Sequence, residues 1–408
     1  MLRIFNVVAR NKERQPIEAT VTKQRVDDDE EKARLLNTCK HFLSFFFQIE
    51  RNLIPTNRLR MVSSVSSEPT LTYLRPEVAA LKKTLDAFIN EEVLPAEEEF
   101  EDHMKTIYGS DRWSIKALPP SLSKLQQRAR ELGLWNLFLP PRLIPHLPSP
   151  EFAPSTTLTY REYGILAESM GRSELGAMAC NCSAPDTGNM EVLLEFGTSW
   201  QQKQFLIPLL KGEIRSTFLM TEPQVASSDP TNLETILVKR VCPSTGIASY
   251  TLTGRKWWST GAMDPRCRIG IVVAKMEDKS TGNQSKESSK HGKHTIVMVP
   301  LPHPNVRAVR ALTVFGYDDA PFGHAEVELN DVPLTHKHLI GGEGSGFKVS
   351  QARLGPGRIH HCMRAIGMGK WRLIMIFVSP LKYLGHPTSN NVCSPTLLRI
   401  DAAAYLRT

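Results

Sequence analysis

Residues 218–229 read Phe218-Leu219-Met220-Thr221-Glu222-Pro223-Gln224-Val225-Ala226-Ser227-Ser228-Asp229, and the fold turns on how this stretch is read. An apolar strand end runs into a turn that carries two adjacent hydroxyls and several backbone amides. Such a turn can hold a phosphate or the polar edge of a flat ring. On spacing alone the commoner reading is an ordinary strand-to-turn passage closed by Ser and Asp.

Working outward, residues 214–220, 234–240, 248–252, 268–275, 294–299 and 324–329 are short β-rich runs between turn signals. No helical pattern of about 10–15 residues separates them, which favours an antiparallel sheet or barrel over parallel βαβ units. Residues 278–293, rich in Lys, Ser, Gly and Asn, read as a loop between strands. On the N-terminal side the period is helical. Pro76 stands where a first helical turn tolerates proline, and Val78, Leu81, Leu85 and Phe88 recur at steps of three and four. Leu122, Leu125, Ala129 and Leu132 form a second stripe, with Gly133 as its stop. Prolines 140, 141, 145, 148 and 150 mark a surface loop, and helical spacing returns over 163–170, 190–196 and 200–210. On the C-terminal side Gly346, Phe347, Val349 and Ala352 open a helix, and a further one is expected over 358–377 after a break at Gly355-Pro356-Gly357.

The expected fold class is therefore α+β and multidomain. It has an N-terminal all-α domain over 71–212, a middle antiparallel β-barrel-like domain over 213–335, and an incomplete C-terminal helical bundle beginning at 336–370. Residues 1–70 read as a leader or extension. Arg3, Arg10, Lys12 and Arg14 among apolar residues resemble a transit peptide, whereas the acidic run at 27–31 counts against one. Residues 371–408 read as a divergent tail.

A second constellation, Lys256-Trp257-Trp258-Ser259-Thr260-Gly261, offers a flat apolar wall with two hydroxyls beside it, although a core or interface tryptophan pair is the commoner case. Three other signals take plain structural readings. His336-Lys337-His338 and His360-His361 lack a nearby carboxylate set and read as surface or packing residues, so no metal site is expected. Gly342, Gly344 and Gly346 do not form the dinucleotide fingerprint and do not open a βαβ unit. Asp186 reads as a helix cap and Glu222 as a structural turn residue.

The 408-residue chain, 41% apolar and 23% charged, has the composition of a globular protein. Its longest apolar runs, 41–49 and 373–378, fall short of the roughly 18–20 residues that cross a bilayer. Seven scattered cysteines without a CxxC pair exclude a disulfide scaffold and a thiolate zinc ribbon. The charge of +8 is spread along the chain rather than clustered with aromatics, so a nucleic-acid partner is not expected, while a small phosphorylated ligand would be served by a few of these cations.

Taken together, the two constellations resemble the acyl-CoA dehydrogenase family. The first is similar to its Thr-Glu-Pro…Ser-Asp signature and the second to its Lys-x-Trp-x-Thr signature. Residues 312–321, from Leu312 to the Gly316-Tyr317-Asp318-Asp319-Ala320-Pro321 run, and residues 354–364, with Gly355-Pro356-Gly357-Arg358 and His360-His361, resemble the branch of family members ten and eleven. Asp331-Val332-Pro333-Leu334 and the glycine-rich run to Phe347 resemble the family's passage from sheet to C-terminal helices. The resemblance covers about 70–370. It implies FAD bound between domains, with Phe218, Met220, Thr221, Ser227 and Ser228 lining the flavin and Trp258, Ser259 and Thr260 flanking its ring, Thr260 near the redox-active central nitrogen. It further implies that Ser228, Gly355, Pro356, Gly357 and Arg358 touch the thioester of an acyl-CoA substrate.

The implied reaction is α,β-dehydrogenation of the fatty-acid β-oxidation type. A carboxylate takes the proton beside the thioester carbonyl while a hydride leaves the next carbon for the flavin, in a dry slot between base and ring. The resemblance also implies an electron acceptor such as an electron-transfer flavoprotein, a homo-oligomer, and a mitochondrial, cytoplasmic or peroxisomal location. It ends near Lys370. Beyond it, Pro380, Pro387 and Pro395 are expected to forbid long helices, and most of a bundle is expected to be missing. No catalytic base is matched: the resemblance places the family's usual carboxylate beyond the matched residues, and an alternative placement falls near Gly357, which cannot act as a base. Three readings stand: a dehydrogenase, a non-catalytic flavin or acyl-CoA binding remnant, and a partner-binding structural product.

Overall fold

The helices form where apolar residues recur on one face. In the computed structural model, which describes residues 74–279 and 292–383 with side chains as far as Leu373, α1 (Pro76–Phe88) buries Val78, Leu81, Leu85 and Phe88, the expected stripe. The leader assigned to 1–70, most of the 278–293 loop and the tail beyond 383 lie outside the described residues. A π-helical turn, Ile89–Val93, joins α1 to α2 (Leu94–Lys105). Helix α3 (Leu122–Glu131) buries Leu122, Leu125 and Ala129, and Gly133 follows at φ 70°. Helix α4 (Tyr160–Met170) is set by a capping box in which the Thr159 side chain accepts from the Glu162 N–H and Glu162 accepts from the Thr159 N–H. Helix α5 (Asp186–Phe196) and α6, a helical stretch over 199–210, complete this half.

Asp186 does not cap α5. It is the first helical residue, is buried, and accepts from both the backbone N–H (2.8 Å) and the hydroxyl (2.5 Å) of Ser216, while pairing with Arg215 at 2.6 Å. A helix-start aspartate reads as a cap in sequence. Here the neighbouring strand competes for it and wins, so α5 is pinned to the sheet.

The sheet holds β1 (Arg215–Leu219), β2 (Ile236–Val241), β3 (Ala248–Thr260), β4 (Cys267–Asp278), β5 (His294–Pro300), β6 (Val306–Leu312), β7 (His324–Thr335) and β8 (Leu339–Ile340). Their order is β6-β7-β3-β2-β4-β5-β8, with β1 added on β4. All pairings are antiparallel except β1 with β4 and β2 with β4, which are parallel. The sheet is thus mixed where an antiparallel one was expected. β1 enters directly from the helical half, so no hairpin turn fixes its direction. β6 was not foreseen because it is an edge strand carrying charge: Arg307 pairs with Glu328 at 2.6 Å and Arg310 with Glu326 at 2.7 Å. Leu219, Leu237, Leu252, Val272, Val297 and Val327 build the sheet's core. Side chains alternate along a strand, so Leu219 facing that core turns Phe218 the other way.

Helix α7 (Gly346–Tyr383) runs unbroken for 38 residues through Gly355-Pro356-Gly357 and past position 371, against the expected break and the expected departure from helix. An interior proline costs about 3 kcal/mol. Packing offsets it, because α7 lies along α4 and α5 and buries Val349, Ser350 and His360. The approach to α4 is close enough to require glycine. A Cβ at Gly367 would stand 1.8 Å from the carbonyl oxygen of Glu168, and one at Gly171 would stand 2.2 Å from that of Arg364.

Candidate functional site

The turn after β1 is built around Lys256. Its buried ammonium donates to the Val273 carbonyl (2.7 Å), the Met220 carbonyl (3.1 Å) and Glu222 Oε1 (2.7 Å), which uses all three of its hydrogens. Glu222 in turn accepts the backbone N–H groups of Glu234 (2.7 Å) and Thr235 (3.0 Å). Burial pushes Lys256 down to about 8 against the pull of Glu222. Burial also works to raise Glu222, but the Lys256 charge and these donors hold it below the usual carboxylate range. Glu222 is therefore a brace: it draws β1's exit, β3 and the 222–235 loop to one point.

The brace sets the two sequence constellations side by side. The Trp257 N–H donates to the Thr221 carbonyl at 2.9 Å. The Ser227 hydroxyl accepts the Glu222 N–H at 3.0 Å, which closes the turn. Between Lys256 and Ser259 the β3–β7 register slips, and Trp258, 40% exposed as a residue, adopts φ 51°. This bulge points a flat apolar side chain out of the sheet. Ser259 is buried, and among the described residues neither its hydroxyl nor the Trp257 indole N–H has a hydrogen-bond partner. Thr260, half-buried, lies with Oγ1 2.9 Å from Nδ1 of His324, while its carbonyl accepts the Thr217 hydroxyl at 2.9 Å.

Phe218 and the α7 segment meet through a residue that sequence reading did not single out. The Arg353 guanidinium lies 3.8 Å from the centroid of the Phe218 ring and donates to Asn189 Oδ1 at 2.9 Å. Burial lowers this arginine to about 10, against the fields of Glu191 and Asp186. Pro356 and Gly357 follow three and four residues later on the same helical face. A Cβ at Gly355 or at Gly357 would meet nothing within 4 Å, so both positions border open space. Arg358 and Ser228 are exposed.

The structure thus joins Met220, Thr221, Ser227, Trp258, Ser259 and Thr260 in one region around the brace. Phe218 stands beside it under Arg353, and Gly355 to Arg358 extend along α7 from that contact. Arg353, Asn189, His324 and Asp319 were missed. A lone arginine within a helical pattern carries no signal of burial, and the proximity of His324 to Thr260 follows from the pairing of β3 with β7.

Two family models match the chain: acyl-CoA dehydrogenase, N-terminal domain, over residues 75–213, and acyl-CoA dehydrogenase, middle domain, over residues 217–332. Acyl-CoA dehydrogenase family member 10 of Mus musculus is 40% identical over 303 residues, which cover 74% of this chain and 26% of that protein. A Mycobacterium abscessus structure assigned to the acyl-CoA dehydrogenases is 38% identical, with a TM-score of 0.63, covering 73% of this chain and 68% of that one. An acyl-CoA dehydrogenase from Bacillus anthracis, solved in complex with FAD, shares the fold at 23% identity and a TM-score of 0.53, over 75% of this chain and 45% of that one. The chain spans between 26% and 64% of the length of the first curated relatives it matches.

Proposed function

The chain belongs to the acyl-CoA dehydrogenase family, and from that premise we propose that it binds FAD and an acyl-CoA thioester and carries out α,β-dehydrogenation of the acyl group. The observation that carries this reading is the hydrogen bond from Trp257 to Thr221, which brings the two constellations together at 2.9 Å. The residues present suit a flavin. Trp258 offers an exposed flat face, and Ser259 and the Trp257 indole hold polar atoms without partners among the described residues. In this reading Met220, Thr221, Ser227, Trp258, Ser259 and Thr260 hold the ring, with Phe218 backing it.

When bound, FAD supplies the acceptor for a hydride from the acyl chain. The work of the chain's own residues is positional. The Lys256–Glu222 brace fixes the turn at 221–228, the Trp258 indole excludes water from one side, and the open positions at Gly355 and Gly357 leave room for a thioester beside α7. An external acceptor of the electron-transfer flavoprotein kind would be the partner that takes up the electrons.

The test is a flavin absorbance spectrum of the purified chain, followed by anaerobic titration with acyl-CoAs of several lengths. Bound flavin that bleaches on addition supports the proposal. Flavin that binds and stays oxidised makes the chain a flavin-binding protein without turnover, and a colourless chain that takes up no FAD overturns the reading.

A further inference from the structure

Thr260 is one link in a longer hydrogen-bonded chain. Its hydroxyl lies 2.9 Å from Nδ1 of His324, the first residue of β7, and Nε2 of the same ring lies 3.1 Å from Oδ2 of Asp319. The turn that carries Asp319 is anchored at several points. Its carbonyl accepts the N–H groups of Phe322 (3.0 Å) and Gly323 (2.9 Å), and the Gly323 carbonyl accepts the N–H of Gly261, the residue after Thr260, at 3.0 Å. Asp318 takes both a 2.7 Å and a 3.2 Å hydrogen bond from Arg112, which ties the turn to the helical half. Asp319 itself sits at φ 52° and Trp258 at φ 51°. Such left-handed positions cost non-glycine residues about 1–3 kcal/mol and persist only where the surroundings enforce them.

The order of donors along this chain follows from elementary chemistry. A carboxylate only accepts, so Nε2 of His324 carries the hydrogen it gives to Asp319. In the neutral ring Nδ1 then has only a lone pair. The single hydroxyl hydrogen of Thr260 is drawn to that lone pair, and Thr260 Oγ1 is left with lone pairs alone for any other neighbour. We propose that Asp319 and His324 are positioning residues that make the Thr260 hydroxyl an acceptor toward FAD bound beside it, favouring the reduced cofactor over the oxidised one. The proposal rests on the FAD reading above. A flavin's central ring nitrogen accepts a hydrogen bond when oxidised and presents an N–H after gaining two electrons and a hydrogen. An acceptor-only Thr260 pairs with the second form and opposes the first.

The test is the midpoint potential of FAD bound to the purified chain, measured by dye equilibration in the wild type, Asp319→Asn, His324→Leu, Thr260→Val and the His324→Leu/Thr260→Val double variant. Loss of the carboxylate or of the imidazole frees the Thr260 hydrogen to donate to the oxidised ring. Oxidised FAD is then expected to gain about tenfold in affinity relative to reduced FAD, a fall of about 30 mV for a two-electron couple. In the Thr260→Val background the His324 substitution is expected to add no shift, an outcome that a merely structural role would not produce. Potentials that do not move in either single variant, with FAD bound, overturn the proposal and leave the FAD reading intact. A wild-type chain that takes up no FAD fails that reading instead. A flavin-independent check comes from ¹⁵N spectra of the histidine-labelled chain, with the His324 signals identified by their absence from His324→Leu. The proton is expected on Nε2, and a wild-type ring protonated on Nδ1 overturns the proposal whatever the flavin does.

Discussion

Lys256 and Glu222 show how much a single pair can organise. Each is almost wholly removed from water, and each has its hydrogen-bonding capacity taken up by backbone as well as by the other. Removing one partner strands the other charge, which typically costs about 3–5 kcal/mol, whereas removing both costs less. Lys256→Met is therefore expected to lower the urea midpoint sharply, and Lys256→Met/Glu222→Gln to recover part of the loss. Additive losses would show that the two side chains act independently. Glu191 is the opposite case, a buried carboxyl whose Oε2 lacks a partner among the described residues. Burial, together with Glu195, outweighs Arg142 and Arg353 and pushes it up to about 8. Between the unfolded value, near 4.5, and 8 the folded state holds the proton that the unfolded state has lost. By linkage, stability then falls as pH rises through that window, by an amount on the order of a few kcal/mol. Glu191→Gln cannot ionise, so it is expected to flatten the fall between pH 5 and 8 in urea titrations. An unchanged slope would place the titration elsewhere.

At the scale of elements, α7 is the least expected feature and the most constrained by its neighbours. Its glycines were legible as residues, but their purpose is set by α4: the carbonyl of Glu168 leaves no room for a side chain at Gly367. Gly367→Ala is expected to cost about 3 kcal/mol by overpacking, read as a fall in urea midpoint, while Gly369→Ala, where a Cβ meets nothing within 4 Å, should be near neutral or slightly stabilising. Equal effects at both positions would count against the close crossing. The proline at 356 gave the wrong expectation for a definable reason. Propensity assigns the cost of an interior proline, but only the packing along α4 and α5 says whether that cost is met.

For the whole molecule, the site couples ligand to fold. The brace, the 221–228 turn and the end of β3 all belong to the sheet, while Arg112 and Arg353 tie the site's edges to the turn at 318 and to Phe218. A cofactor that binds only this folded arrangement stabilises it by mass action, by roughly 2.7 kcal/mol at a hundred times its dissociation constant. Thermal melts across an FAD titration are thus expected to shift upward with concentration, and a melting temperature flat across that range would count against flavin binding.

The sequence by itself determined the order of helical and β-rich segments, the stripe on α1, the stop after α3 and the two hydroxyl-bearing constellations. Those features live in local periodicity and turn chemistry, which a single chain displays directly. The tertiary structure alone decided that β1 and β2 run parallel to β4, that α7 passes through its proline, that Asp186 serves a strand rather than its helix, and that Arg353 and His324 stand against Phe218 and Thr260. Each of these depends on a partner between 29 positions (Asp186 and Arg215) and 199 positions (Glu168 and Gly367) away in the chain, and the free energy that selects it comes from burial and pairing that no local window contains.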